Sequence, residues 1–392
     1  MEELRQQEEP IPEVIMPEKS LRGLFDRMHK TGAKTLKAVR AESNSPNETK
    51  ISRTWNATEA SALVGRSLPW LRERAGDIET DVRGIKRYTL KDIYDLRAEA
   101  GTEYKRPEGS EAAIIAISNF KGGVAKTTTT IHLAQRCAMV GLRVAVIDLD
   151  PQGSATFNLM NVVPDHDIAP EDLIGAALLE DPDEIQYVLK GSYFSNVFVA
   201  PTNVGLQDVE RRLIDSPNST ALGHRYGRLQ KALEVVRPEF DVIIIDCPPN
   251  MGALTANALV AADTFIIPLP PQAMDRASFV SYTDTLRNFF SAIPDKKMNL
   301  VRILITMHAN TSAAKQEEHR IRSDFGDSVM EHVFFNSTEI GKASAVFSSI
   351  YDLEKPLNNR DTYRRALEIV DGVCDEIIDE LKAVWDSQGG KK

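Results

Sequence analysis

The sequence has no apolar run approaching the roughly 20 residues that a bilayer-spanning helix requires. Its opening, MEELRQQEEP, is acidic and lacks the apolar stretch of a secretory signal. A cytoplasmic protein is therefore expected. Cysteine is scarce. Cys137, Cys247 and Cys374 stand far apart, which argues against a disulfide framework or a zinc site and leaves reduced core thiols. Basic residues are outnumbered, 47 against 57 acidic, giving a net charge of −10. Taken alone, that balance speaks against nucleic-acid binding. The deficit is uneven, however. Residues 21–97 hold 16 Lys/Arg and 10 Asp/Glu, a local +6, which leaves −16 for the remainder. Such asymmetry fits a DNA-contacting segment attached to an acidic domain, and fits equally a set of helices with solvated basic faces.

Three segments are expected along the chain. Residues 1–50 comprise a polar tail with Pro10, Pro12 and Pro17, then an amphipathic helix over 21–40, where Leu21, Leu24, Phe25 and Met28 recur at helical spacing. Dimerisation is the role expected of that helix. Residues 51–105 read as a helix-turn-helix unit: a helix starting at Thr58 as N-cap with Ala60, Leu63 and Val64 on one face, a turn at Gly65, and a second short helix through Trp70 and Leu71. A basic hairpin-like stretch, Gly84 to Tyr88, and a helix over Leu90–Glu99 follow. GTEYKRPEGS, residues 101–110, reads as a linker. Residues 111–392 alternate strands and helices. Apolar strands are expected at 112–120, 143–150, 197–200, 241–248, 263–269 and 301–307, and a long last helix at 361–386. This alternation implies a mostly parallel sheet with helices on both faces, an α/β fold.

Chemistry concentrates in three motifs. Between the first strand and the next helix stands Lys121-Gly122-Gly123-Val124-Ala125-Lys126-Thr127-Thr128. Glycines there let backbone N–H groups turn around an anion, and the helix N-terminus adds favourable potential. Lys126 is placed to reach the β- and γ-phosphates of a nucleotide, and the Thr127 hydroxyl to ligate Mg²⁺. The strict phosphate-loop pattern fails, because Phe120 and Ala125 occupy its two glycine positions. The second motif, VIDLDPQGS, sets Asp148 and Asp150 at a strand's C-terminal end, where open α/β sheets bind ligands. Asp150 is placed to orient an attacking water. Asp148 suits either Mg²⁺-bound water or the holding of a switch loop. The third, DVIIIDCPP, is a buried strand ending in Asp246, as in a Walker B motif whose acid lies near Mg²⁺. Cys247 beside it reads as packing, since no His adjoins it to activate the thiol.

KGGVAKTT, VIDLDPQGS and DVIIIDCPPNMGALTANAL together resemble the ParA/MinD class of P-loop ATPases with a deviant Walker A motif, and within it the plasmid ParA partition proteins, over about residues 113–385. The resemblance implies an ATP-dependent homodimer with two nucleotides sandwiched between subunits, Lys121 reaching across to the partner's phosphates. It implies Lys126 and Thr127 in the loop roles, Asp150 supporting hydrolysis, ATP/ADP and Mg²⁺ as cofactors, and a ParB-type centromere-binding partner. Ala125 departs from the commoner glycine. Alanine does not need a positive φ at most loop positions, so the loop is expected to work. The N-terminal unit is similar to the winged helix-turn-helix of the larger ParA proteins, which bind their own operator. It implies Arg66, Ser67, Arg72 and Arg74 on or beside the recognition helix and Lys86 and Arg87 in a wing on phosphates. A helical dimerisation module without DNA contact is the alternative. Arg360, Arg364 and Arg365 are candidates for non-specific nucleoid DNA binding, or for salt bridges to nearby acids.

Two other readings compete. One is a nucleotide-regulated transcriptional repressor with no transport role. The other, a membrane-associated MinD-like ATPase, needs a C-terminal amphipathic anchor, whereas ELKAVWDSQGGKK offers only Leu381, Val384 and Trp385 with little basic flank. Met307, His308 and Pro268–Pro271 are positional candidates for an adenine pocket.

Overall fold

The computed structural model describes residues 21–43, 50–76, 78–218 and 222–389. Two units divide between Glu48 and Thr49. The first contains a single 23-residue helix, α1 (Leu21–Ser43), longer than its apolar spacing predicts. Leu24, Phe25 and Met28 are exposed on it. The polar tail, residues 1–20, lies outside the described residues.

In the second unit eight strands form one sheet: β1 (Ala113–Ile117), β2 (Val144–Asp148), β3 (Lys190–Gly191), β4 (Val197–Ala200), β5 (Val242–Asp246), β6 (Thr264–Leu269), β7 (Leu300–His308) and β8 (Phe334–Phe335). Their order is β3-β4-β2-β5-β1-β6-β7-β8. Among the described residues the β3–β4 pair of this sheet is antiparallel and its other pairs are parallel. The central strands are apolar on both faces because both are covered. Ile115, Ile117, Val146 and Ile244 enter one core, and Ile114, Ala116, Ile147 and Ile245 the other. β1 is shorter than its apolar run of 112–120; beyond it the Ser118 hydroxyl bonds the Tyr282 hydroxyl and the Asn119 side-chain amide donates to the Pro268 carbonyl. From β1 the chain crosses beyond β5 to β2, and from β5 it crosses back to β6. β1 thus sits at the topological switch point, where such sheets open a crevice at their C-terminal edge.

N-terminal to the sheet lie α2 (Ala57–Val64), α3 (Leu68–Arg74) and α4 (Leu90–Ala100). The N-cap of α2 is Asn56, not Thr58. The Asn56 side chain accepts from the Thr58 and Glu59 amides, and Glu59 returns a bond to the Asn56 amide, a reciprocal capping box. Gly65 ends α2 in the left-handed region at φ +72°, and Ser67 caps α3. The antiparallel bridge Thr80–Lys86 closes the small hairpin before α4, and the bridge Trp55–Tyr88 ties it to the segment that precedes α2. Val64, Leu71, Tyr88, Ile93 and Leu96 are buried in the same apolar cluster as Ile115 and Val146 of the sheet. Two polar fasteners accompany this continuity. The Tyr94 hydroxyl donates to the Ala138 carbonyl at 2.8 Å. The buried Arg97 guanidinium donates to Met139 O at 2.7 Å and to Leu63 O at 2.8 Å, bridging the C-terminal ends of α5 (Lys126–Met139) and α2. A cation there faces two carbonyl-rich helix ends, which favours it.

The last helix, Arg360–Gly389, covers the α5 face of the sheet. Leu381 and Trp385 are buried in the core, and Trp385 donates to Glu111 O. That apolar stripe is thus occupied within the chain. Among the described residues no helix is long and apolar enough to cross a membrane.

Candidate nucleotide site and helix-turn-helix

The loop from Ser118 to Ala125 joins β1 to α5 at the switch point. Gly123 takes φ +72° and Ala125 φ +69°, both left-handed. The expectation for Ala125 needs correction on this point. The position is one where glycine relieves strain, and alanine bears a steric cost there. The turn is nonetheless locked, because Ala125 O accepts from both the Thr129 amide and the Thr129 hydroxyl.

A cavity of about 410 Å³ opens beside this loop, lined by Gly122, Gly123, Ala125, Lys126, Thr127, Thr128 and Asp150 on one side. Lys126 is buried, and its ammonium donates to Lys121 O at 3.1 Å. Burial holds its pKa below the usual lysine range, while Asp246, Cys247 and Asp150 pull the other way. The cation is therefore held in the loop without a carboxylate in contact.

Below the loop, β2 and β5 run in register, so Asp148 and Asp246 lie level on neighbouring strands. Both are fully buried, and burial raises both pKa values; the Asp148 carboxyl adds to the rise in Asp246, and Asp150 adds to the rise in Asp148. Their surroundings differ. Asp148 Oδ2 accepts from the Thr156 amide at 2.8 Å and its hydroxyl at 2.7 Å, and Oδ1 accepts from the Asp150 amide at 3.1 Å. It ties the Asp150–Gly153 turn to α6 (Ser154–Met160). Asp246 Oδ1 accepts from the Thr130 hydroxyl at 3.2 Å, while Oδ2 is buried with no partner. Thr127 lies close enough to lower the Asp246 pKa. A buried carboxylate oxygen without a partner, next to a threonine hydroxyl, is a donor set suited to a hard cation that takes most of its ligands from elsewhere. Asp150 is half-buried, holds the Gln152 amide, and faces the cavity. Burial pushes the Cys247 thiol up to about 12, which keeps it an inert packing group.

The far wall of the cavity was not legible in the sequence. Phe334, Phe335, Asn336, Ser337, Ile340 and Ser344 form it. On it Ile340 and Ser344 belong to the helix Thr338–Ala345 and the Asn336 amide bonds His308 O, while Phe334 and Phe335 make up the two-residue strand β8. A short VFF triplet before Asn-Ser was its only trace. Of the adenine candidates, Met307 lines this cavity. His308 is buried and turned to Glu318 at 3.2 Å, and Pro271 lines a separate cavity with Thr311 and Glu317.

Lys121 is not among the cavity-lining residues. Its ammonium lies 2.5 Å from Asp275 Oδ1.

Around α2, the turn at Gly65 and α3, where a helix-turn-helix was expected, Arg66 donates to Ala100 O and Ser67 caps α3. Arg74 pairs with Glu99 at 2.8 Å and stacks on Trp70 at 4.4 Å, and Arg72 is exposed. Lys86 donates to the carbonyls of Ala75 and Gly76, and Arg87 to Thr54 and Glu354. Arg66, Ser67 and Arg72 are exposed, and the cationic ends of Arg66, Arg74, Lys86 and Arg87 stand on intramolecular partners. Arg364 lies between Asp361 and Glu368 at 3.4 and 3.7 Å, both exposed pairs of small energy. Arg360 and Arg365 are exposed beside it.

Comparison with known proteins agrees with this geometry. A family model described as an AAA domain matches residues 112–299. Protein SopA of Escherichia coli K12 is 32% identical over 371 residues, covering 90% of this chain and 95% of that protein. The chromosome partitioning protein ParA of Myxococcus xanthus is 35% identical over 250 residues, 62% of this chain and 82% of that one. A cobyrinic acid a,c-diamide synthase from Mycobacterium smegmatis, solved with a bound ATP analogue and magnesium, superposes with a TM-score of 0.51 at 26% identity, covering 68% of this chain and 94% of that one. Motif set, sheet order and full-length similarity agree, and the chain belongs to the ParA-type plasmid partition ATPases.

Proposed function

We propose that the protein is a DNA-partition ATPase that dimerises on ATP, binds DNA, and hydrolyses ATP when a ParB-type centromere-binding partner stimulates it. The observation that carries this reading is the cavity at the β1 switch point. It is walled by Gly122, Gly123 and Ala125–Thr128 of the loop, among them the buried Lys126, with an unpartnered Asp246 oxygen nearby. The nucleotide complex of the Mycobacterium smegmatis relative supports ATP/ADP and Mg²⁺ as the occupants. In this reading Thr127 and Asp246 hold Mg²⁺. Magnesium supplies charge neutralisation at the β- and γ-phosphate oxygens when bound. Lys126 gives up the Lys121 carbonyl and donates to those same oxygens. Asp150 orients the attacking water. Asp148, both of whose oxygens are engaged, keeps the Asp150 turn in place. Phe335 and Asn336 face the base. Lys121 serves the nucleotide of the second subunit.

The helix-turn-helix contacts operator DNA through Ser67 and Arg72, with Arg66, Arg74, Lys86 and Arg87 released from their internal partners as phosphates arrive. Arg360, Arg364 and Arg365 contribute to non-specific binding on nucleoid DNA, which makes the cytoplasmic protein nucleoid-associated. ATP turnover measured with and without DNA and the partner tests the reading. Slow basal turnover, stimulated by both together and lost in Lys126→Ala, is expected. Unstimulated or Lys126-independent turnover refutes it. A second reading, a nucleotide-regulated repressor without transport, draws on the Arg97 and Tyr94 fasteners between the helix-turn-helix and α5. Footprinting discriminates. Operator protection as the sole DNA activity, unchanged by Arg364→Ala with Arg365→Ala, favours it.

A further inference from the structure

Every polar group of Lys121 has a partner inside its own chain. Its amide donates to the Asn119 side chain at 3.0 Å, and its carbonyl accepts from Lys126. Its ammonium stands on Asp275, outside the cavity its loop creates. The two ends of that ion pair are unlike. The Lys121 side chain is 40% exposed, whereas the Asp275 side chain is 3% exposed. Asp275 lies in the first turn of the helix Ala273–Ser291, whose N-cap residue, Gln272, makes no side-chain bond to it. The carboxylate is therefore stabilised by the positive helix end and stays where it is. The lysine has the freedom to leave.

We infer that Asp275 is a positioning residue for Lys121, a latch that parks the ammonium away from the nucleotide until a second subunit's triphosphate competes for it. The inference rests on the proposed cross-subunit role of Lys121. A triphosphate presents more negative charge than one carboxylate, so ATP displaces the latch. ADP lacks the γ-phosphate and competes less well. The latch therefore penalises dimers that form without ATP. Because the sandwich is symmetric, two latches open for each dimer, and their costs multiply in the dimer dissociation constant. A half-exposed pair accounts for about two- to fivefold, and two of them for about 4- to 25-fold.

The test is the dimer dissociation constant by analytical ultracentrifugation of the full chain with a non-hydrolysable ATP analogue and Mg²⁺, and separately with ADP. Asp275→Asn is expected to tighten the ATP-analogue dimer by about 4- to 25-fold, to permit detectable dimer with ADP, and to leave monomer affinity for ADP as in wild type. A purely structural role for Asp275 would lower thermal stability and weaken both dimers together. Asp275→Ser is the second variant, with the same direction expected. Asp275→Glu, which keeps the charge, should restore the preference for ATP. If both neutral variants dimerise no more tightly than wild type, the latch is refuted. If wild type fails to dimerise with the analogue, or Lys121→Ala dimerises as wild type does, the cross-subunit role itself is refuted.

Discussion

Replacing Ala125 by glycine should make the protein more stable, although it removes a methyl group from a half-buried position. Ala125 is held at φ +69° and ψ +29°. In that region a Cβ crowds the following carbonyl at a cost of about 1–2 kcal/mol, which glycine avoids. Glycine in turn gives the unfolded chain more conformational freedom, a loss of about 0.4–1 kcal/mol. The balance is a gain of roughly 0.5–1 kcal/mol, or about 1–4 °C in melting temperature for a unit of this size. The two hydrogen bonds from Thr129 to the Ala125 carbonyl are backbone-directed and survive the change. ADP affinity should be equal to or slightly better than that of wild type. Ala125→Val is the converse. A β-branched side chain tolerates the left-handed region poorly, so a loss of at least about 2 kcal/mol and of nucleotide binding is expected. Differential scanning calorimetry with and without Mg-ADP measures both effects. A glycine variant that melts lower than wild type, or a valine variant that melts with it, would refute the assignment of strain to this residue.

The paired carboxyls make the nucleotide-free protein sensitive to pH. Asp148 and Asp246 keep protons in the folded state that the unfolded chain has already released. Their contribution is therefore complete below about pH 4 and is lost as pH rises towards about 8. Urea unfolding between pH 5 and 8.5 should show this decline, and saturating Mg-nucleotide should flatten it. Asp246→Asn should stabilise the nucleotide-free protein at pH 8 by about 1–3 kcal/mol and abolish Mg²⁺-dependent turnover. Arg97→Ala strips partners from the Leu63 and Met139 carbonyls and should cost about 2–4 kcal/mol in urea unfolding. Tyr94→Phe should cost about 1 kcal/mol by the same assay, through loss of the bond to the Ala138 carbonyl.

The sheet and the loop were legible because their signals are local. Apolar runs such as Val242–Ile245 declare buried parallel strands, and Gly122–Gly123 beside Lys126 declares an anion cradle at a helix start. What escaped depends on contacts distant in sequence. β8 is a two-residue strand made by pairing with Thr306 and His308 of β7, so Phe334 and Phe335 had no periodicity to announce them, and the rest of the wall to Ser344 is a turn and a short helix. Thr58 and Asn56 both suit an N-cap by residue type, and Glu59 decides in favour of Asn56 by bonding back to its amide. Arg66 and Lys86 read as DNA-facing charges, yet their nearest acceptors are the carbonyls of Ala100 and Ala75. The positive φ of Ala125 is likewise invisible in a residue so tolerant of ordinary backbone.

The continuity of the apolar cluster across the helix-turn-helix and the sheet has a practical corollary for anyone trimming the gene. Cutting after residue 104 would bare the outer surface of α5 and strip the Ala138 and Met139 carbonyls of their donors. It would also cut away Lys50, which forms a buried pair with Asp352 at 2.9 Å. A shortened product of that kind should aggregate or melt early, and an absence of ATPase activity in it would report on damaged folding, with no bearing on whether the deleted segment takes part in catalysis.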